Sequence, residues 1–295
     1  MSQGLVRDPP GQAGFAGMPQ RLYSASPSRL LAFLDCPRRY RMSYLDRPRP
    51  LARPQRAHTS IGLATHNALR DYWDLPPARQ TPDGGAELLR QGWIPVGFRD
   101  ERQSATWRDR TADQVRAYLG QPGAQAGAHS PARPLGIERC VALKSAGLAL
   151  QGRIDRLDER DGALVVVDYK TSRRPSTQED ARTSLPLALY AAAAARMFRR
   201  PGFVRVELHH IPTATVVGHD HGPQSLARKL AEASSIAADM RTADADHAAR
   251  GADSDCFPPR PSPVCRWCDL RAHCAEGQRM GPEQPSWAAL EPEDM

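Results

Sequence analysis

Two runs of β-branched and aliphatic residues, 148–157 and 163–170, are separated by a short polar stretch that ends in Asp161-Gly162. Asp-Gly is a strong signal for a two-residue hairpin, because both turn positions take positive φ. A turn there pairs Arg160 with Ala163 and, counting back along both strands, Asp155 with Asp168. Directly opposed residues hold their Cβ atoms about 4.5–5.5 Å apart. Alternation then returns Lys170 to the face of Asp168. Two carboxylates at that separation repel unless a proton or cation lies between them, and oxygen ligands of this kind suit Mg²⁺ or Mn²⁺. The apolar run 164–167 reads as a buried strand, with Leu150, Ile154, Val165 and Val167 expected to bury the face away from the charges. An ordinary surface hairpin with Asp and Lys paired across it fits the same spacing. Against it, the charges gather at the end of a buried strand, and Lys170 is one of three lysines among 40 basic residues.

The chain has 295 residues, enough for one large domain or two modest ones. Forty Lys+Arg against 33 Asp+Glu give a net charge of +7, which favours a polyanionic partner. Ser26-Pro27 followed by an apolar run reads as a capped helix ending at Cys36-Pro37. Helical patterns follow at 61–72, 86–91 and 104–119, then a linker at 121–134. Beyond it come strands at 137–144, 148–157 and 163–170, an Ala-rich helix at 184–198, a strand at 203–211 and a helix at 225–240. Strands flanked by helices predict an α/β core. The expected division is a disordered tail 1–22, an N-terminal helical part 23–130, an α/β core 131–250, a cysteine segment 251–280 and a second disordered tail 281–295. The longest weakly charged stretch, 185–197, is too short to cross a bilayer. No basic start leads into an apolar run at the N-terminus, so a cytoplasmic location and no membrane partner are expected. In that reducing compartment six cysteines suggest metal ligation or redox chemistry.

Gly152-Arg153-Ile154-Asp155-Arg156 and Val167-Asp168-Tyr169-Lys170-Thr171 resemble the core of the PD-(D/E)XK nuclease superfamily. The likeness is to the RecB-like exonuclease branch that includes the AddB C-terminal domain and CRISPR-associated nucleases with a cysteine cluster. It implies a restriction-endonuclease-like mixed sheet flanked by helices. It further implies Asp155 and Asp168 as ligands of Mg²⁺ or Mn²⁺, the Tyr169 carbonyl as another, and Lys170 as the group that orients the attacking water. Ile61-Gly62-x-x-x-His66 is similar to the family's Gly-x-x-x-His helix, making His66 a further ligand. Ser26-x-Ser28-Arg29-Leu30 through Cys36-Pro37-x-x-Tyr40 matches the branch's N-terminal segment, so the likeness runs from about 23 to 274. One departure stands out: the family's Gln-x-x-x-Tyr keeps Tyr190 here but has Pro186 in place of Gln.

Cys265-x-x-Cys268-x5-Cys274 is a compact trio that lacks a fourth ligand. The iron–sulfur members of the resembled branch imply Cys36 as that ligand and a [4Fe-4S] cluster tying the two ends of the domain together. Zn²⁺, with Cys36 or His273 as fourth ligand, fits the spacing equally well. Cys140 and Cys256 remain over, read as a core thiol and a spare one.

The resemblance and the charge together predict a metal-dependent deoxyribonuclease acting on single-stranded or end-containing DNA in repair or recombination. Arg38, Arg39, Arg173 and Tyr190 are the expected substrate contacts, with Arg41 and the arginines of 47–56 nearby. Tyr40, Tyr44 and Trp73 are candidates for stacking on unpaired bases. No Gly-x4-Gly-Lys-Ser/Thr loop is present, so any helicase action must come from a separate helicase or repair-complex subunit. The alternative reading is a non-catalytic DNA-binding or assembly subunit of a nuclease–helicase complex, with a structural iron–sulfur or zinc site.

Overall fold

A computed structural model describes residues 22–121, 134–145 and 147–290. A six-stranded mixed sheet runs through the molecule, formed by β1 (Tyr23–Ala25), β2 (Gly136–Ser145), β3 (Leu148–Arg160), β4 (Ala163–Lys170), β5 (Val204–His210) and β6 (Thr215–His221). β2 lies antiparallel along β3 from its first residue to Leu157 and occupies one edge. β1, parallel at Leu148–Leu150, and β4, antiparallel from Arg156, therefore share the other edge. Residues 151–155 of β3 pair with neither, which leaves a notch in the sheet. β4 continues into parallel β5, and β6 closes the sheet antiparallel to β5.

The expected hairpin forms with Arg160 opposite Ala163, and Asp161 and Gly162 take φ of +50° and +78°. Both faces of β4 are covered, which is why its sequence is continuously apolar. Leu164 and Val166 pack with α1 (Pro27–Asp35), α7 (Leu185–Met197) and α8 (Pro223–Arg250). Val165, Val167 and Tyr169 pack with α3 (Ala57–Tyr72), α4 (Pro82–Gln91) and α5 (Glu101–Leu119). This corrects the single buried face assigned to Leu150, Ile154, Val165 and Val167: the first two join the α7 layer and the last two the α3 layer. Ile154 and Leu157 share the α7 layer although they lie an odd three positions apart, so the alternation of β3 slips phase beside Asp155.

Local signals account for most helix ends. Ser26 accepts from the Arg29 amide at the start of α1, and Asp100 caps α5 through the Gln103 amide. Ser184 caps α7, and Pro186 sits in its first turn, where a missing N–H is harmless. β1, α2 (Pro37–Tyr44), α6 (Gln178–Thr183) and β6 fall outside the expected elements, although a Thr177–Asp180 capping box opens α6. α8 runs ten residues past the expected end. Residues 281–290, expected as tail, instead pack on the body: the Ala57 amide donates to the Ser286 carbonyl and Arg56 donates to the Gln284 carbonyl. The remaining tail and linker expectations, at 1–21, 122–133 and 291–295, lie outside the described residues. Among the described residues no helix is long and apolar enough to cross a membrane.

Candidate active site

β3 and β4 share their last rung at Arg156 and Val167. At the next position Asp155 and Asp168 stand across the strands without a rung. The Tyr169 amide donates to Asp155 Oδ2 at 3.0 Å, so a side-chain carboxylate takes the place of a backbone acceptor. Lys170 Nζ lies 2.5 Å from Asp168 Oδ2, which puts the two on one face.

α3 forms the facing wall. His66 Nδ1 is 3.4 Å from Asp155 Oδ2, and its Nε2 is 3.1 Å from the Tyr169 carbonyl oxygen. One turn earlier, a Cβ on Gly62 would lie 3.2 Å from Thr171 Oγ1. The bare glycine therefore lets the helix approach the strand end closely enough for His66 to reach Asp155, a physical reason for the Gly-x-x-x-His spacing.

A fourth candidate ligand side chain, Glu138, escaped the sequence reading. His66, Glu138 and Asp155 each offer one ligand atom, and the three atoms lie within 4.8 Å of one another. The register of the structure places it: β2 and β3 close with Ser145 opposite Leu148, and the rungs on either side put Glu138 across from Asp155. No rung forms at Glu138 itself, and its φ of +48° is one that non-glycine residues seldom adopt. Arg153 Nε, 3.3 Å away, holds its carboxylate.

The electrostatics fit a cation-binding notch. Burial raises the Asp168 carboxyl above the usual carboxylate range; Lys170 pulls it down, and the neighbouring Asp155 charge pushes it up again. Burial opposes charge on His66, but its hydrogen bond to Asp155 and the charges of Asp155, Asp168 and Glu138 outweigh that and raise its pKa. Tyr190 closes the notch from α7. Burial and the negative Asp168 and Asp155 raise its phenol, and the Arg153 amide hydrogen-bonds to it. A Cβ on Gly152 would come within 2.5 Å of the Tyr190 ring, so this glycine is required by the close packing of the tyrosine. Tyr190 thus reaches the site although Pro186 replaces the family glutamine.

Cys36, Cys265, Cys268 and Cys274 line one cavity of about 510 Å³ between the α1–α2 junction and the C-terminal segment. Burial pushes the Cys268 and Cys274 thiols up. His273 does not line this cavity; its ring is bonded to the Leu51 carbonyl at 3.1 Å. Cys140, expected as a core thiol, is exposed, as is Cys256.

Several expected nucleic-acid contacts are placed otherwise. Tyr40 and Trp73 are buried in the two core layers, and half-buried Tyr44 packs against Tyr40, so core packing claims these rings. Arg41 is buried, donating to the Ala252 carbonyl and paired with Asp46. Arg38 and Arg39 line the cysteine cavity, and Arg38 donates to the Phe257 carbonyl. Arg173, with Arg174, is exposed just beyond Lys170.

A family model described as the PD-(D/E)XK nuclease superfamily matches residues 24–275. A search of curated proteins gives no significant match. Among solved structures, the crystal structure of SSO0001 is 17% identical, with 59% of this chain and 79% of that one covered, at a TM-score of 0.31. The family match spans the notch, both hairpin strands and the cysteines, and the chain belongs to the PD-(D/E)XK nuclease superfamily.

Proposed function

We propose that this protein is a metal-dependent deoxyribonuclease of the RecB-like branch, acting as an exonuclease on single-stranded or end-containing DNA in repair or recombination. The observation that carries the reading is the notch itself, where His66, Glu138 and Asp155 converge beside an Asp168–Lys170 pair. His66, Glu138, Asp155 and Asp168, with the Tyr169 carbonyl, would hold Mg²⁺ or Mn²⁺. When bound, such an ion supplies positive charge at the scissile phosphate and lowers the pKa of water. The remaining chemistry belongs to the chain. Asp155 is fixed by the Tyr169 amide and His66 by the Tyr169 carbonyl, so the ligand atoms are held before substrate arrives. Lys170, whose side chain is partly exposed, would turn from Asp168 toward a water or a phosphate oxygen and donate to it.

The likeness to the iron–sulfur members of the branch favours a [4Fe-4S] cluster over zinc in the cysteine cavity, whose four thiols suit either metal. The role is structural, tying the α1–α2 corner to the C-terminal segment. A DNA partner follows from the reading, and a separate helicase or repair-complex subunit would supply any unwinding.

The test is cleavage of labelled single-stranded and blunt duplex DNA with and without Mg²⁺ or Mn²⁺. Wild type should degrade DNA from an end only with the ion, and Lys170→Ala or Asp168→Ala should lose cleavage while retaining most binding. A variant that cuts as well as wild type would overturn the assignment. Iron and acid-labile sulfide in anaerobically purified protein test the cluster; stoichiometric zinc in colourless protein would remove it.

A further inference from the structure

Beyond Lys170 the chain opens into a second concavity, a groove of about 690 Å³. It begins at Thr171, which directly follows Lys170, and is walled by Trp107 of α5 and Trp267 of the cysteine segment, with Arg110, Arg173 and Arg174 at its rim. None of the residues lining it is acidic. That matters in a chain whose exposed arginines are commonly neutralised: Arg70 pairs with Asp71, Arg116 with Asp83, Arg182 with Glu179 and Arg200 with Glu159. Arg110, Arg173 and Arg174, by contrast, face no carboxylate within ion-pair distance among the described residues. The two indoles are half-buried and held in place. Arg110 lies over Trp107 at 4.7 Å, while Arg56 lies over Trp267 at 5.4 Å and His58 meets its edge.

We infer that this groove binds an unpaired nucleic-acid strand leading to or from the notch, with bases stacked on Trp107 and Trp267 and phosphates met by Arg110, Arg173 and Arg174. Indoles accept any base face, and guanidinium groups without a carboxylate partner donate to backbone phosphates. An acidic peptide would satisfy the arginines but leave the paired indoles without a purpose. Trp267 stands between Cys265 and Cys268, so the segment that carries the thiols also delivers one wall of the groove. The inference deepens the nuclease reading and rests on it for the identity of the reacting strand.

The test measures binding of fluorescein-labelled oligothymidylate to the full-length protein without divalent ions, by anisotropy, so that cleavage plays no part. Trp107→Ala should weaken binding about tenfold, equivalent to about 1.4 kcal/mol, and Trp107→Phe should restore most of it. Arg173→Gln with Arg174→Gln, in an exposed loop, should lower the slope of log affinity against log salt by about 1.4. Wild-type affinity and salt slope in these variants would overturn the inference, as would equal affinity for polyglutamate. Strand binding with these losses in a protein that never cleaves would leave the groove standing and remove the nuclease reading.

Discussion

Behind the notch, on the layer packed by α3 and α5, lies a buried charge network whose removal has a calculable cost. The side chains of Arg156 and Asp158 are each 1% exposed and meet bidentately, Nη2 to Oδ2 at 2.7 Å and Nε to Oδ1 at 2.9 Å. Arg160 joins Asp158 to Glu207, and Glu207 contacts His209 at 2.9 Å. Asp158→Ala deprives a guanidinium packed over Trp73 of its bidentate carboxylate. Breaking one partner of a buried pair destabilises by about 3–5 kcal/mol, because the surviving charge stays desolvated. At about 2 °C per kcal/mol for a domain of this size, the melting temperature should fall by ~6–10 °C. Replacing both partners by Arg156→Met with Asp158→Leu should recover most of the loss, since no lone charge is left. Scanning calorimetry of the three proteins decides it. A fall under about 2 °C for Asp158→Ala would refute the reasoning, because it would mean that water reaches the pair.

Glu138→Gln should raise the Mg²⁺ concentration for half-maximal cleavage about tenfold or more while leaving the melting temperature near wild type, measured by metal titration of the nuclease assay. Gly152→Ala should push Tyr190 from its seat, destabilising by about 1–3 kcal/mol and reducing cleavage; unchanged denaturation and activity would show that the ring has room. Burial, with the charges of His219 and Lys229, holds His221 near a pKa of about 4 in the folded chain against 6.5 ordinarily. The unfolded chain then binds the extra proton first, so His221's contribution to stability is complete above about 6.5 and is lost as pH falls towards 4. Denaturant midpoints for wild type and His221→Gln between pH 7.5 and 4.5, as about the practical limits, should converge on acidification.

Much of the hairpin was legible because its determinants are local. Asp161-Gly162 selects a turn type, the turn sets the register, and period-two alternation brings Lys170 to Asp168 with no knowledge of the rest of the chain. His66 was reachable only through its resemblance to a known motif; alone it is one of nine histidines. Glu138 shows a different limit. The turn before β3 contains no comparably strong dipeptide, so the register that aligns Glu138 with Asp155 could not be read with the same force. Tyr40 and Trp73 went wrong as candidate stacking groups because an aromatic in a helix has no sequence mark separating a core ring from an exposed one.

By itself the sequence determined four of the six strands, most helices, the turn that apposes Asp155 with Asp168, and the superfamily, since each of these rests on neighbours or on short motifs. Only tertiary structure decided which surfaces those residues share. The notch at 151–155 exists because β1 and β4 divide one edge of β3, and the cysteine cavity exists because residues more than two hundred positions apart close on each other. Contacts of that range depend on how layers pack, and packing is a property of the whole chain rather than of any segment in it.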